Sequence, residues 1–228
     1  MSIIIKNISK SFGDNTVFKD FSIELSEKGN LCFFGKSGIG KTVLLNMLAG
    51  IIRPDCGNIN GLEGKKISFV FQEDRLLPWL TVLENVKSVI KKNKKEAMEI
   101  ALKWLDILEM KDKANKFSFE LSGGMRRRVS IARALCYNAD VLLLDEPTAG
   151  LDEVSKIDVI NIIKKYSSSR LNILVTHNVD EGVIFSNMVY IFNGPIFSLK
   201  GKIEINECIG DNYLDIGKYK NIIINIMK

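Results

Sequence analysis

The chain has 228 residues and a mass of 25.6 kDa, which fits one large domain or one domain with a small subdomain. It is 46% hydrophobic and 26% charged, a balance typical of a globular protein that excludes a disordered chain. The net charge of +5 is modest, and the basic runs at residues 91–95 and 126–128 are best explained as solvated helix surface, so no nucleic-acid partner is expected.

Several further features limit location and chemistry. No apolar stretch approaches the roughly 18 residues needed to cross a bilayer, and residues 1–6 lack the basic segment and long apolar run of a signal peptide. The four cysteines are scattered and His177 is the sole histidine, so neither a disulfide framework nor a cysteine-histidine metal site is expected. We therefore expect one cytosolic unit, unless a partner moves it elsewhere.

The first part of the chain predicts an antiparallel sheet that leads into a buried strand. Residues 2–9 and 21–25 alternate apolar and polar side chains, with the turn-like sequence Gly13-Asp14-Asn15 between them. Residues 31–34 then form a short continuous apolar run that ends at Gly35. Such a run indicates a central strand buried on both faces.

The loop after this strand matches a phosphate-binding motif. The sequence Gly35-Lys36-Ser37-Gly38-Ile39-Gly40-Lys41-Thr42 fits G-x-x-x-x-G-K-[ST], whose backbone N–H groups surround the phosphates of a nucleotide. Apolar residues of 41–48 share one face, which predicts a helix that Gly50 and Pro54 end. The N-terminus of this helix adds its dipole to the loop's donors, so the motif indicates ATP with Mg²⁺.

The middle of the chain is mainly helical. Residues 67–71 read as a strand that ends at Gln72, and residues 81–110 follow a helical pattern that predicts a helical insertion. A further helix is predicted over 122–135, with Ser122 at its cap and two glycines, Gly123 and Gly124, in its first turn. Glycine disfavours a helix, so these two are expected to allow a ligand close to the backbone.

Two more buried strands end in polar residues. Residues 141–144 run into Asp145 and Glu146, and residues 171–176 run into His177. Both strands follow helical segments, which is typical of parallel strands joined by right-handed crossovers in an α/β sheet. The strand ends at Gly35, Gln72, Asp145 and His177 are then expected along one edge, where doubly wound sheets bind ligands. For residues 213–227 the sequence is compatible with a strand, a helix or a regulatory tail.

Transfer of a phosphoryl group to water needs neutralised charge, a held Mg²⁺ and an aimed water. Lys41 and the backbone of residues 38–42 are expected to hold the β- and γ-phosphates, and Thr42 and Asp145 to support the metal. Glu146 is our choice for the general base, against the alternative of a helix-capping carboxylate. The amide oxygen of Gln72 is expected at the metal or its water, against the alternative of a surface amide.

Two assignments rest on position alone. A lone histidine is more often structural than catalytic, but His177 follows a buried strand and can donate a hydrogen bond to the γ-phosphate. Phe12 is a candidate for stacking on the adenine ring, although an aromatic residue at strand spacing is usually part of a core.

Across nearly all of its length the chain resembles the ATP-binding cassette (ABC) family. Five further elements agree in order with the phosphate loop. They are the Q-loop at Gln72, the signature Leu121-Ser122-Gly123-Gly124, the Walker B segment 141–146, the D-loop with its lead-in at 147–152, and the switch at Thr176-His177. The resemblance implies a P-loop NTPase core with a mostly parallel sheet, an N-terminal antiparallel β-subdomain, a helical subdomain at about 73–138 and a C-terminal extension at about 201–228, all in one ATPase domain.

The resemblance also implies a head-to-tail dimer, with ATP between the phosphate loop of one subunit and the signature of the other. The second subunit is a further copy or another ABC ATPase. The nucleotide-binding set is then Phe12, Gly35, Lys36, Ser37, Gly38, Ile39, Gly40, Lys41, Thr42, Val43, Ser122, Gly123, Gly124 and Asp152. The catalytic set is Glu146, His177, Gln72 and Lys41, and the metal set is Thr42, Gln72 and Asp145.

Residues 70–86 resemble the nitrate/sulfonate/taurine importer branch, whose members import small anions and thiamine-precursor pyrimidines. This implies an ATPase peripheral to the inner face of the cell membrane, with an integral membrane permease and, indirectly, an extracytoplasmic substrate-binding protein. Met125, Phe12 and the pair Ala149-Gly150 depart from the usual pattern. Other importers, exporters and soluble cassette ATPases stay open, whereas a non-hydrolysing subunit is disfavoured because Lys41, Glu146 and His177 are present.

Overall fold

The computed structural model describes residues 2–167, 169–205 and 213–227. Within them the strands are β1 (Ile3–Phe12), β2 (Asn15–Leu25), β3 (Gly29–Phe34), β4 (Cys56–Asn60), β5 (Ile67–Val70), β6 (Val141–Asp145), β7 (Leu171–Thr176), β8 (Met188–Asn193) and β9 (Ser198–Glu204). The α-helices are α1 (Lys41–Leu48), α2 (Val82–Lys87), α3 (Lys94–Ile107), α4 (Gly123–Cys136), α5 (Glu153–Tyr166), α6 (Val179–Phe185) and α7 (Tyr213–Met227).

The central sheet has six strands in the order β5-β6-β7-β3-β8-β9. Neighbours from β5 to β8 pair in parallel, and β9 pairs with β8 antiparallel. Strands β6 and β7 are buried throughout, because apolar clusters cover both faces of the sheet. The predicted α/β fold with a mostly parallel sheet is confirmed, while β8 was not anticipated.

The N-terminal sheet has three strands in the order β2-β1-β4, all antiparallel. It confirms the predicted antiparallel opening, but β1 and β2 are longer than residues 2–9 and 21–25. The alternation is broken where Asn7 and Asp20 adopt positive φ angles of 49° and 50°, beside shifts of register between the two strands. Strand β4 was missed because its five residues are mostly exposed and do not alternate.

The region predicted as helical over 81–110 contains two helices, α2 and α3. Helix α2 begins with a capping box between Thr81 and Glu84. Helix α3 has its own cap, because the Asn93 side chain accepts the Glu96 N–H at 2.9 Å. Helix α4 begins one residue after Ser122, as predicted, and Ser122 Oγ accepts the Met125 N–H at 3.3 Å.

The C-terminal segment left open by the sequence ends in helix α7. Tyr219 and Ile223 of α7 are buried in a cluster with Cys32 of β3 and Val183 of α6. Residues 206–212 of the expected C-terminal extension, with Cys208, lie outside the described residues. Among the described residues, every helix is too short or too polar to pass through a bilayer.

Candidate active site

The polar strand ends predicted to converge lie on four neighbouring strands. In the sheet, β5, β6, β7 and β3 are adjacent and parallel, so their carboxyl ends share one edge. Gln72 comes two residues after β5, β6 ends at Asp145 and is followed by Glu146, and His177 and Gly35 directly follow β7 and β3. The parallel register therefore produces the topology in which an α/β sheet binds ligands.

The loop between β3 and α1 has a backbone that only glycine adopts without strain. Gly38 and Gly40 have φ angles of 82° and 114°. A Cβ on Gly40 would lie 2.6 Å from Val17 Cγ1, and one on Gly35 would lie 2.6 Å from the Phe192 carbonyl oxygen. The motif glycines thus keep the loop tight against its surroundings, and α1 begins directly after Gly40.

Lys41 is the buried cation of this loop. Its side chain is 4% exposed, and its Nζ donates to the carbonyl oxygens of Gly35 at 2.7 Å and Lys36 at 2.6 Å. Burial lowers the pKa of Lys41, and the Glu146 and Asp145 carboxylates oppose that change. An ammonium group has three donors, so one remains for a phosphate oxygen.

Asp145 lies at the end of β6 and is 2% exposed. Burial raises its pKa, and a hydrogen bond with the Thr42 side chain opposes the rise. Among the described residues, Oδ1 of Asp145 has no hydrogen-bond partner. A buried carboxylate oxygen that lacks a donor is a suitable acceptor for a hard cation or its water.

Glu146 and His177 form a direct pair. Glu146 Oε1 lies 2.9 Å from His177 Nδ1, and the His177 side chain is 61% exposed, so its other ring nitrogen is accessible. Glu146 adopts a φ of 45°, and its backbone N–H donates to the Val175 carbonyl at 3.0 Å. A positive φ is uncommon for a residue other than glycine, and here it turns the chain sharply at the end of β6.

A cleft of about 440 Å³ opens above these residues. From the sequence-predicted set it is lined by Phe12, Ser37, Gly38, Gly40, Lys41, Thr42, Val43, Gln72 and Glu146. Five predicted residues near this loop do not line the cleft: Gly35, Lys36, Ile39, Asp145 and His177. Gly35 and Lys36 give their carbonyls to Lys41, the Ile39 side chain lies against Gly35 and Gly194, and His177 is joined to the cleft through its contact with Glu146. Phe12 is 47% exposed at the end of β1.

A second cleft, of about 420 Å³, surrounds the start of α4. Its lining includes Ser122, Gly123 and Gly124 together with Asp152, and none of its lining residues belongs to the first cleft. Ser122 and Gly123 are exposed. The structure therefore separates the predicted nucleotide-binding residues into two surfaces of the chain.

A family model described as ABC transporter matches residues 18–149, which span most of the elements described above. The chain belongs to the ABC transporter family. It is an ABC ATPase domain that binds ATP, as the sequence predicted. We call the cleft at the strand ends, which contains the phosphate-loop motif, the phosphate-loop half, and the cleft at the start of α4, which contains the signature motif, the signature half.

Similar proteins agree with this membership. The aliphatic sulfonates import ATP-binding protein SsuB 1 of Shouchella clausii is 37% identical over 199 residues, covering 86% of this chain and 79% of the relative. The bicarbonate transport ATP-binding protein CmpD of Synechocystis sp. is 35% identical over 212 residues, covering 85% and 75%. The dimeric post-hydrolysis structure of the ATP-binding cassette MJ0796, bound to ADP and Pi, has a TM-score of 0.80 at 27% identity, covering 90% of this chain and 99% of that chain.

The interpretation of the basic run 126–128 as solvated helix surface is wrong for Arg127, which is buried and ion-paired. Arg127 of α4 is 4% exposed and donates to the carbonyl of Phe71 at 2.6 Å and to that of Gln72. Its Nε also lies 3.3 Å from Asp74 Oδ1. Burial lowers the pKa of Arg127, and Asp74 opposes that change. Arg127 thereby ties the Q-loop to the helix that carries the signature.

Glu181 of α6 is a second residue that sequence reasoning missed. It is 5% exposed, and its carboxylate accepts hydrogen bonds from the hydroxyls of Thr148 at 2.6 Å and Thr176 at 2.7 Å. In the sequence its only signal is an acidic residue four positions after His177. Nothing local reveals its partner Thr148, which lies 33 positions away.

Proposed function

We propose that the chain is the ATP-hydrolysing subunit of an ABC importer and that the Glu146–His177 pair lies at its catalytic centre. The observation that carries the proposal is the 2.9 Å contact between these two side chains at the edge of a cleft whose base holds the buried cation Lys41. A carboxylate and an ammonium that line one cleft, with an imidazole in contact with the carboxylate, can supply the base, the charge and the hydrogen-bond donor that transfer of a phosphoryl group to water needs.

Lys41 and the backbone N–H groups of residues 38–42 bind the β- and γ-phosphates in this proposal. The third donor of the Lys41 ammonium supports it, since the other two are taken by loop carbonyls. Lys41 is also close enough to Asp145 and Glu146 for their charges to act on its pKa. The lysine therefore balances acidic groups before the nucleotide arrives and phosphate charge afterwards.

Mg²⁺ fits the residues beside this loop. Thr42 and Asp145 would hold the ion directly or through water, with Gln72 contributing its amide oxygen, and the orphaned buried Oδ1 of Asp145 supports the assignment. When bound, the ion neutralises phosphate charge. The hydroxyl, carboxylate and amide oxygens of this set are hard ligands, which Mg²⁺ prefers.

Glu146 acts as the general base that polarises the attacking water, and His177 donates a hydrogen bond to the γ-phosphate. Support comes from their contact, which orients the imidazole through Nδ1 and leaves the other ring nitrogen free to meet the nucleotide. Phe12 stacks on the adenine; its exposed ring at the rim of the cleft fits this role.

The complete ATP site needs a second subunit, either another copy or a related ABC ATPase. Ser122, Gly123 and Gly124 begin a helix whose N-terminal donors suit the phosphates of a nucleotide held by that partner, with Asp152 beside them. We further propose a helical subdomain at about 73–138 and a C-terminal extension at about 201–228.

The relatives point to the transported cargo. Those at 37% and 35% identity are described as importing aliphatic sulfonates and transporting bicarbonate, both small anions. We propose cargo of this anionic class, or a thiamine-precursor pyrimidine. The chain would lie peripherally on the inner face of the cell membrane, where its partners are an integral membrane permease and, through it, an extracytoplasmic binding protein.

The test is purification of the tagged protein from native membranes in mild detergent, followed by mass spectrometry of stoichiometric partners. Recovery of a polytopic permease with an extracytoplasmic binding protein is the expected result. Recovery of ribosomal or nucleic-acid-processing proteins would overturn the importer assignment.

A further inference from the structure

Behind the Glu146–His177 pair lies a cluster of three buried polar side chains. Thr148 and Thr176 are each 2% exposed and Glu181 is 5% exposed. Glu181 Oε1 accepts the Thr148 hydroxyl at 2.6 Å, and Glu181 Oε2 accepts the Thr176 hydroxyl at 2.7 Å. Both carboxylate oxygens are therefore occupied by donors, as a buried carboxylate requires.

Each threonine is fixed to one member of the pair. Thr148 lies in the turn that begins at Glu146, whose carbonyl accepts the Ala149 N–H at 3.1 Å. Thr176 directly precedes His177, and its hydroxyl oxygen also accepts the Asn178 N–H at 3.0 Å, which encloses His177 in a short turn. The single carboxylate of Glu181 thus joins the backbone segments that carry Glu146 and His177.

Helix α6, which carries Glu181, has little freedom to shift. The Asn178 side chain caps it by accepting the N–H groups of Asp180 at 2.9 Å and Glu181 at 3.3 Å. A Cβ on Gly182 would lie 2.9 Å from Cys32 Sγ, so the helix already lies against β3 as closely as glycine allows. The cap and the close packing therefore hold Glu181 in place relative to the two loops that it joins.

We propose that Glu181 is a positioning residue that sets the contact between Glu146 and His177, acting through Thr148 and Thr176. This inference rests on the proposed function, because it assigns the geometry of the same catalytic pair to a third residue. Without the carboxylate, each threonine loses its acceptor and the two loops lose their common attachment. Hydrolysis then slows while ATP, held by the separate phosphate loop, still binds.

The sole histidine of the chain makes the contact directly observable. In tag-free ¹⁵N-labelled protein, long-range ¹H–¹⁵N NMR of His177 reports the hydrogen bond at Nδ1. The Glu146→Ala variant gives the reference ¹⁵N chemical shift of His177 Nδ1 when the Glu146 carboxylate is absent. Glu181→Ala and Thr148→Val are expected to move the Nδ1 signal toward that reference. Thr148→Ser, which retains a hydroxyl, and Asp180→Asn, a neighbouring acidic residue of α6, are expected to keep the wild-type signal.

Steady-state kinetics complete the test. Glu181→Ala and Thr148→Val should each lower kcat by roughly ten- to a hundredfold with little change in the KM for ATP, since misplacing a reacting group acts on the chemical step. Thr148→Ser should restore kcat. If Glu181→Ala does not fold, Thr148→Val carries both readouts.

The outcomes separate this inference from the proposed function. If Glu146→Gln leaves ATP turnover intact, the proposed function fails and the inference with it. If Glu146→Gln abolishes turnover while Glu181→Ala and Thr148→Val retain the wild-type Nδ1 signal or the wild-type kcat, only the inference is overturned. A loss of ATP affinity equal to the loss of kcat would also overturn it, because the substitution would then have disturbed the phosphate loop and not the Glu146–His177 contact alone.

Discussion

The phosphate-loop half and the signature half differ in how far their functional groups already contact one another within a single chain. In the first, Lys41 is buried against two carbonyls, and Glu146 is in contact with His177. In the second, Ser122 and Gly123 are exposed at the start of α4, and they line a cleft that shares no residue with the first. The difference supports the proposal that the chain carries one preorganised catalytic half and one recognition surface whose ligand is held by another subunit.

The substitution expected to have the largest effect on ATP hydrolysis is that of the proposed general base, Glu146. Glu146→Gln should lower kcat by about 10³-fold, within the range for a general base, while ATP still binds and holds a dimer together. Single-turnover hydrolysis and gel filtration with saturating ATP measure the two effects. Glu153→Gln, an exposed glutamate in the next helix, is the matched control. A Glu146→Gln chain that stays monomeric under these conditions contradicts the sandwich.

Lys41→Ala should act on binding rather than on chemistry. Loss of a charged donor to the phosphates is expected to weaken ATP affinity by roughly a hundredfold. Equilibrium titration with a fluorescent ATP analogue measures the change. The control is Lys103→Ala, which removes an exposed lysine from α3. Unchanged affinity in the Lys41→Ala protein would overturn the assignment of the phosphate loop.

Alanine substitutions of one glycine from each half, Gly35 and Gly123, are expected to differ in their effect on the stability of the fold. A Cβ on Gly35 would meet the Phe192 carbonyl at 2.6 Å, so Gly35→Ala should destabilise the fold by about 1–3 kcal/mol. A Cβ on Gly123 has only Arg126 Nη2 nearby, at 3.8 Å, and alanine favours a helix by about 0.5–1 kcal/mol, so Gly123→Ala should not destabilise. Thermal unfolding distinguishes the two variants. A fall in Tm for Gly123→Ala would mean that its role lies within this chain's own fold.

The sequence predicts the phosphate-loop half well because its signals are local. An apolar run followed by a polar residue marks each strand end, and parallel pairing brings those ends together. The start of α4 is also marked by a local signal in the sequence, since Ser122 caps the helix that follows it. The sequence also predicts the family, because its motifs keep a fixed order.

Long-range contacts account for what the sequence could not predict. Glu181 and Thr148 are 33 positions apart, and Arg127 meets the Gln72 carbonyl from 55 positions away. Bulges at Asn7 and Asp20 hid the true lengths of β1 and β2 from a test of simple alternation. Each of these features depends on a partner that only the folded chain brings near.

The central claim is that the two halves meet across a pair of subunits, and complementation tests it most directly. Lys41→Ala disables only the phosphate-loop half. Gly123→Asp disables only the signature half, because its carboxylate repels phosphate, and the space at Gly123 accommodates the side chain. Each variant alone should hydrolyse ATP at background rate. A mixture should regain activity, since a mixed dimer contains one intact composite site. A mixture that stays at background, or wild-type turnover by the Gly123→Asp protein alone, would contradict the account.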